Sequence, residues 1–95
     1  MVVGVMELQL ALIDNASLKA KRSVVKRVIH RCRNTFNVSA AEVEDQDLTD
    51  RATIGVVAVG NDRRHVRSTL DKVERFVERL ALAEILDAPK TVETF

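Results

Sequence analysis

The chain has 95 residues, 15 basic against 14 acidic, with 46% hydrophobic and 31% charged residues. That suits one folded domain, 1–95, and argues against disorder, which needs fewer apolar residues, and against two separate cores, which need more chain. No apolar run approaches the ~20 residues of a membrane-spanning helix, and one cysteine, Cys32, rules out an internal disulfide and fits a reducing cytoplasm.

Residues 2–13 alternate in character, with Met6, Leu8, Leu10 and Leu12 on one side and Val3, Val5, Glu7, Gln9 and Ala11 on the other. This period of two predicts a strand. The same stretch has no positively charged start, so it does not read as a signal peptide. Polar "DNAS" (14–17) breaks the pattern. Leu18, Val25, Val28, Ile29, Cys32 and Phe36 then recur at helical spacing, and Asn15 or Ser17 can cap that helix. "NVSAAEVED" (37–45) and "RATIGVVAVG" (51–60) read as two strands joined by polar "QDLTD", with the second the more buried. "ND" (61–62) caps a second helix whose stripe is Val66, Leu70, Val73, Val77 and Leu80. "AEILDAPKTVETF" (83–95) predicts a last strand, and Pro89 places it at an edge or a bulge.

The order β-α-β-β-α-β is the ferredoxin-like α+β arrangement. Two crossovers of the usual hand predict a four-stranded antiparallel sheet with both helices on one face. The other face then carries Val3, Val5, Gly55, Val57 and Val59, with Glu7 and Gln9 at its flank. A monomer rarely leaves such an apolar set bare, so a second copy, a homodimer through the open sheet face, is the expected cover.

Near-zero net charge hides a bipolar chain. Residues 17–36 hold seven Lys or Arg and no Asp or Glu, whereas Glu42, Glu44, Asp45, Asp47 and Asp50 cluster around the hairpin. At 100° per residue, Lys19, Arg22, Lys26, His30 and Arg33 form one stripe beside the apolar face, roughly 21 Å long at the α-helical rise. Arg27 and Arg31 extend it outward. Lys19, Lys21 and Arg22 sit near the helix N-terminus, where the dipole disfavours cations, and no acid at i±4 relieves them. A local rule broken without local compensation hints at function. Two readings stand side by side: a solvated face neutralised by the hairpin acids, and a docking surface for phosphate. On the second reading Lys19, Lys21, Arg22, Lys26 and Arg33 contact RNA backbone, with His30 adding charge when protonated. On the first, those acids belong to the same subunit or to a second; a further reading makes the chain a homo-oligomeric interaction module whose basic stripe meets the acidic hairpin of another subunit or of a protein partner. A last reading puts a small anion at the helix N-terminus.

Signals of catalysis are missing. Neither His30 nor His65 has a Cys or carboxylate at ligand spacing, so no metal site is expected. Cys32 falls on the apolar stripe and reads as a buried small hydrophobe. The acids at 42–50 lack the glycine and ligand pattern of a calcium loop. "DNAS" offers no glycine-rich phosphate cradle. No enzyme activity and no cofactor are therefore expected. The central strands carry no aromatics on which bases could stack, which leaves backbone contact by the helix as the route to RNA.

"SLKAKRSVVKRV" after a first strand, followed by "FNVSAAEVEDQDL" and "RATIGVVAVGND", resembles the small bacterial YlxP-like proteins over residues 1 to about 80. The resemblance implies a ferredoxin-like fold but supplies no defined activity. Genes of that family are often found near those for translation initiation and ribosome-maturation factors, which implies a ribosome or RNA partner by association. Relatives often carry an aromatic just after the Gln-Asp-Leu segment, where this chain has Thr49, so any contact there is weaker or different.

Overall fold

The computed structural model describes residues 1–12 and 17–95. The expected continuation of the first strand to Ile13 and the alternative cap Asn15 lie outside the described residues. In order, the elements are β1 (Val2–Ala11), α1 (Leu18–Thr35), β2 (Ser39–Glu44), β3 (Arg51–Gly60), α2 (Arg63–Leu80), β4 (Glu84–Asp87) and β5 (Lys90–Thr94). The sheet runs β2-β3-β1-β4, with β5 also on β1 and every pairing antiparallel. This is the ferredoxin-like topology.

The sheet has the four expected positions, and the last is filled by two short strands, β4 and β5. The break falls at Ala88-Pro89, where proline has no N–H to give the ladder. Pairing still bridges it, because Glu7 N–H donates to the Pro89 carbonyl at 3.1 Å. β1 answers with a register shift between Gln9 and Leu10.

The alternation in β1 sorts as its sequence implies. Val2, Met6, Leu8, Leu10 and Leu12 are buried beneath the helices. They meet Ala52, Ile54, Val56 and Ala58 of β3 and Val66, Leu70, Val73 and Val77 of α2 in a single core. α2 lies over β1, β3 and β5, and α1 over β2 and β3. Gly4 permits the close approach of α2, since a Cβ there would stand 2.6 Å from Val66 Cγ1. Ser17 caps α1 by accepting from Ala20 N–H, and Asp62 caps α2 by accepting from His65 N–H. Phe36 and Phe76 close the end of the helix layer in an edge-to-face pair, centroids 5.4 Å apart.

Candidate nucleic-acid interface

α1 divides its seven cations between two jobs. Its buried line is Lys21, Val25, Val28 and Cys32, at steps of four, three and four. Lys21 thus stands on the apolar stripe, fully buried. Its Nζ lies 3.1 Å from Glu42 Oε2 and also donates to the Asp45 carbonyl. The contact with Glu42 is an ion pair rather than a directed hydrogen bond, because Oε2 is buried and receives none. Asp45 holds a left-handed backbone conformation, φ 64°, which Asp tolerates better than most residues. Its carboxylate accepts from Thr53 Oγ1 at 2.9 Å, and Thr53 is itself buried.

The assignment of Lys21 to phosphate contact is therefore corrected. A lysine with no exposed surface cannot reach an RNA backbone, and its charge is met by the hairpin. That hairpin is not merely a solvated turn. Glu42 and Asp45 fasten it to α1 and β3, while Glu44, Asp47 and Asp50 remain exposed.

The other members of the stripe stay outside. Lys19, Arg22, Lys26, His30 and Arg33 are exposed, as are Arg27 and Arg31. Among the described residues, none of these Lys and Arg side chains has a carboxylate within ion-pair distance. Arg33 Nη2 donates to the Ala40 carbonyl at 2.7 Å, and His30 Nε2 lies 3.0 Å from Asn34 Nδ2. Lys26, Arg27, His30 and Arg33 line an open groove of about 650 Å³ between α1 and the edge strand β2, floored by Ile29 and Ala40. In α2, Arg63 is tied to Val92 O and Thr94 and Arg67 approaches Asp71, while Arg64, Lys72, Arg75 and Arg79 are exposed with no carboxylate within ion-pair distance among the described residues. A groove of about 700 Å³ beside the end of α2 is lined by Glu74, Glu78 and Glu84, an environment hostile to phosphate.

Cys32 is buried, and the loss of solvation pushes its thiol up to about 11. It is not a nucleophile at neutral pH. Among the described residues, no group of three or more His, Cys, Asp or Glu side chains is placed to hold a metal ion. No helix among them is long and apolar enough to cross a membrane.

The open sheet face gathers the four valines singled out in the sequence. Val3 pairs with Val59 and Val5 with Val57 across β1 and β3. Met1 and Phe95, overlooked in the sequence, extend the same ladder through reciprocal backbone bonds of 3.0 and 2.7 Å. The strand period places both on the face of Val3. The signal for them was available: each is an odd-numbered apolar residue one step beyond its strand.

Comparison with known proteins agrees with this architecture. Residues 3–89 match the family described as protein of unknown function DUF503. The Bacillus subtilis (strain 168) uncharacterized protein YlxP is 37% identical over 76 residues, covering 80% of this chain and 83% of that protein. Among solved structures, the structural-genomics protein YJCS superposes with a TM-score of 0.59 at 11% identity, covering 94% of this chain and 96% of its own. A de novo designed protein with a ferredoxin fold gives a TM-score of 0.54 at 20% identity, over 100% and 87% of the two chains. At such identities these two likenesses speak to the fold alone. The match across residues 3–89 places the chain in the DUF503 family, and the 37% identity to YlxP places it among the YlxP-like proteins.

Proposed function

We propose that the protein is a non-enzymatic, cytoplasmic RNA-associated protein that docks structured RNA, such as ribosomal RNA, through the outer surface of α1. The observation that carries this reading is the run of exposed cations Lys19, Arg22, Lys26, Arg27, Arg31 and Arg33, unpaired with any carboxylate among the described residues. A helix that keeps six like charges in water has more electrostatic free energy to gain from a polyanion than from solvent alone. With Lys21 set aside, Lys19, Arg22, Lys26 and Arg33 share one flank of the helix, with Lys26 and Arg33 on the rim of the β2 groove, while Arg27 and Arg31 extend the charge toward Leu80 and Leu82. Exposed aromatics are absent from this flank, since Phe36 is half-buried against Phe76. Recognition by backbone phosphates is thus favoured over base stacking.

The alternative, a basic helix pairing with the acidic hairpin of another subunit, loses part of its support. Glu42 and Asp45 already serve Lys21 and Thr53 within the chain.

Fluorescence anisotropy with labelled ribosomal RNA fragments at several salt concentrations tests the proposal, using the wild type and a Lys19→Glu/Arg22→Glu/Lys26→Glu variant. With four or five phosphates neutralised, log K should fall against log salt with a slope on the order of −3 to −4. The variant should lose most of the binding while keeping its circular dichroism. Equal binding by both proteins, or binding by neither, sinks the reading.

A further inference from the structure

The sheet offers two edges and one open face to a macromolecular partner, and both edges are blunted. β2 is only six residues long, carries an irregularity between Glu42 and Glu44, and has its Ala40 carbonyl covered by Arg33. The opposite edge is broken at Ala88-Pro89. Short, bulged and proline-broken edges resist strand addition. The open face has no comparable protection.

On that face Met1 is 68% exposed, Phe95 72%, Val59 60% and Val5 42%, and Val3 and Val57 fill the spaces between them. Val43, 45% exposed, lies over Gly55 beside them. At side-chain areas of roughly 150–200 Å² each, these exposures come to roughly 500 Å², the upper end of what a monomer shows. Two such patches face to face would bury roughly 1,000 Å², the threshold of a specific interface.

We infer that the open face is a self-association surface, and that its occupant is a second copy of this chain. The apolar rows of the face, Val3 beside Val59 and Val5 beside Val57, suit a symmetric contact. Glu7 and Glu44 lie at the end of the sheet away from Met1, Val59 and Phe95, and Glu93, opposite Val3 on the edge strand β5, flanks the apolar set. A two-fold axis along the strands between β1 and β3 sets Val3 against Val59 and Val5 against Val57 of the second copy and leaves Glu7 and Glu44 of both copies beyond the apolar rows. The sheets then stack at the ~10 Å spacing of a sandwich. α1 and α2 lie on the far side of each sheet, so both basic surfaces remain outermost and the RNA reading neither requires nor forbids the dimer.

Sedimentation of the wild type from about 1 µM to about 500 µM tests the inference, since interfaces at this threshold fall with the weak, transient associations. The expected mass rises from that of the 10.6 kDa chain to twice that value. Because apolar burial holds the contact, the midpoint should persist or tighten on raising salt to about 1 M. Val59→Glu should weaken the dimer at least tenfold. Val59→Thr, nearly isosteric and as well suited to a strand, should weaken it at least threefold and covers the case in which the glutamate does not fold. A wild type that stays monomeric throughout overturns the inference. So does a dimer that Val59→Thr leaves unchanged, or one that salt dissolves, which would point to the basic helix meeting an acidic surface.

Discussion

The Lys21–Glu42 pair gives the most searching test of how this fold is held together. Its members are unequally buried, with 1% of the Lys21 side chain exposed and 19% of the Glu42 side chain. At 3.1 Å and an effective dielectric constant near 20, their attraction is about 5 kcal/mol. Removing two ions from water costs several kcal/mol each, so the intact pair contributes little net stability. Breaking it is another matter. Glu42→Leu leaves an ammonium with no exposed surface and only the Asp45 carbonyl as partner, at a cost of about 3–5 kcal/mol. Lys21→Met fills nearly the same volume and leaves a carboxylate that still touches water, so about 1–2 kcal/mol is expected. The double variant should return to within about 1 kcal/mol of wild type, a coupling of about 3–7 kcal/mol between the two sites. Urea unfolding followed by far-ultraviolet circular dichroism suits a chain without Trp or Tyr, and linear extrapolation gives the free energies. Single-variant losses that simply add, or a lysine variant worse than the glutamate one, would refute the reasoning.

Two further outcomes follow from the core. Gly4→Ala forces a Cβ to within 2.6 Å of Val66 Cγ1 and 2.9 Å of Leu70 Cδ1, so these side chains, or α2 with them, must give way. About 1–3 kcal/mol should be lost, which calorimetry would register as a melting temperature about 5–15 °C lower; an unchanged melting temperature would show that they give way freely. Burial raises the Cys32 thiol from 9.0 to about 11, so above pH 9 the unfolded chain releases a proton that the folded chain keeps. Its stabilising effect is complete below pH 9 and fades as pH rises toward 11, by an amount on the order of 2 kcal/mol. Denaturant titrations at pH 7.5 and about pH 10.5 should show this decline in the wild type and not in Cys32→Ala.

Most of the fold was legible because its signals are local. Alternation in β1, the two helical stripes and the caps Ser17 and Asp62 are each written within a few residues. What escaped depended on contacts between distant segments. Lys21 has the spacing of a core residue, three after Leu18 and four before Val25, but charge is the stronger prior for exposure. Only the hairpin acids, some twenty residues on, make its burial affordable in free energy, and no pattern in α1 announces them. The role of Asp45 was hidden for the same reason: its left-handed backbone and its bonds to Lys21 and Thr53 exist only once β2 and β3 are paired. Pro89 marked an irregularity, but whether the strand would bulge, end or resume was decided by its pairing along all of β1.

α1 therefore carries one lysine that builds the molecule and others that it keeps in water, and the two kinds should separate on different measurements. Lys21 is out of reach of any ligand, so Lys21→Met should lower stability while leaving RNA affinity and its salt slope where they were. Lys26 is exposed on the rim of the β2 groove, with no carboxylate partner among the described residues. Changing it should alter affinity and the salt slope with almost no effect on unfolding, since surface substitutions of this kind stay within about 0.5 kcal/mol. The separation also guards the interpretation of the helix dipole. Lys19 and Arg22 crowd the N-terminus of α1, whose first turn has no acidic residue, and neutralising them should stabilise the free protein by some tenths of a kcal/mol each. A variant that becomes more stable and binds RNA less well would show charges kept against the interest of the fold. A variant that becomes less stable would instead assign those charges to the structure, as for Lys21.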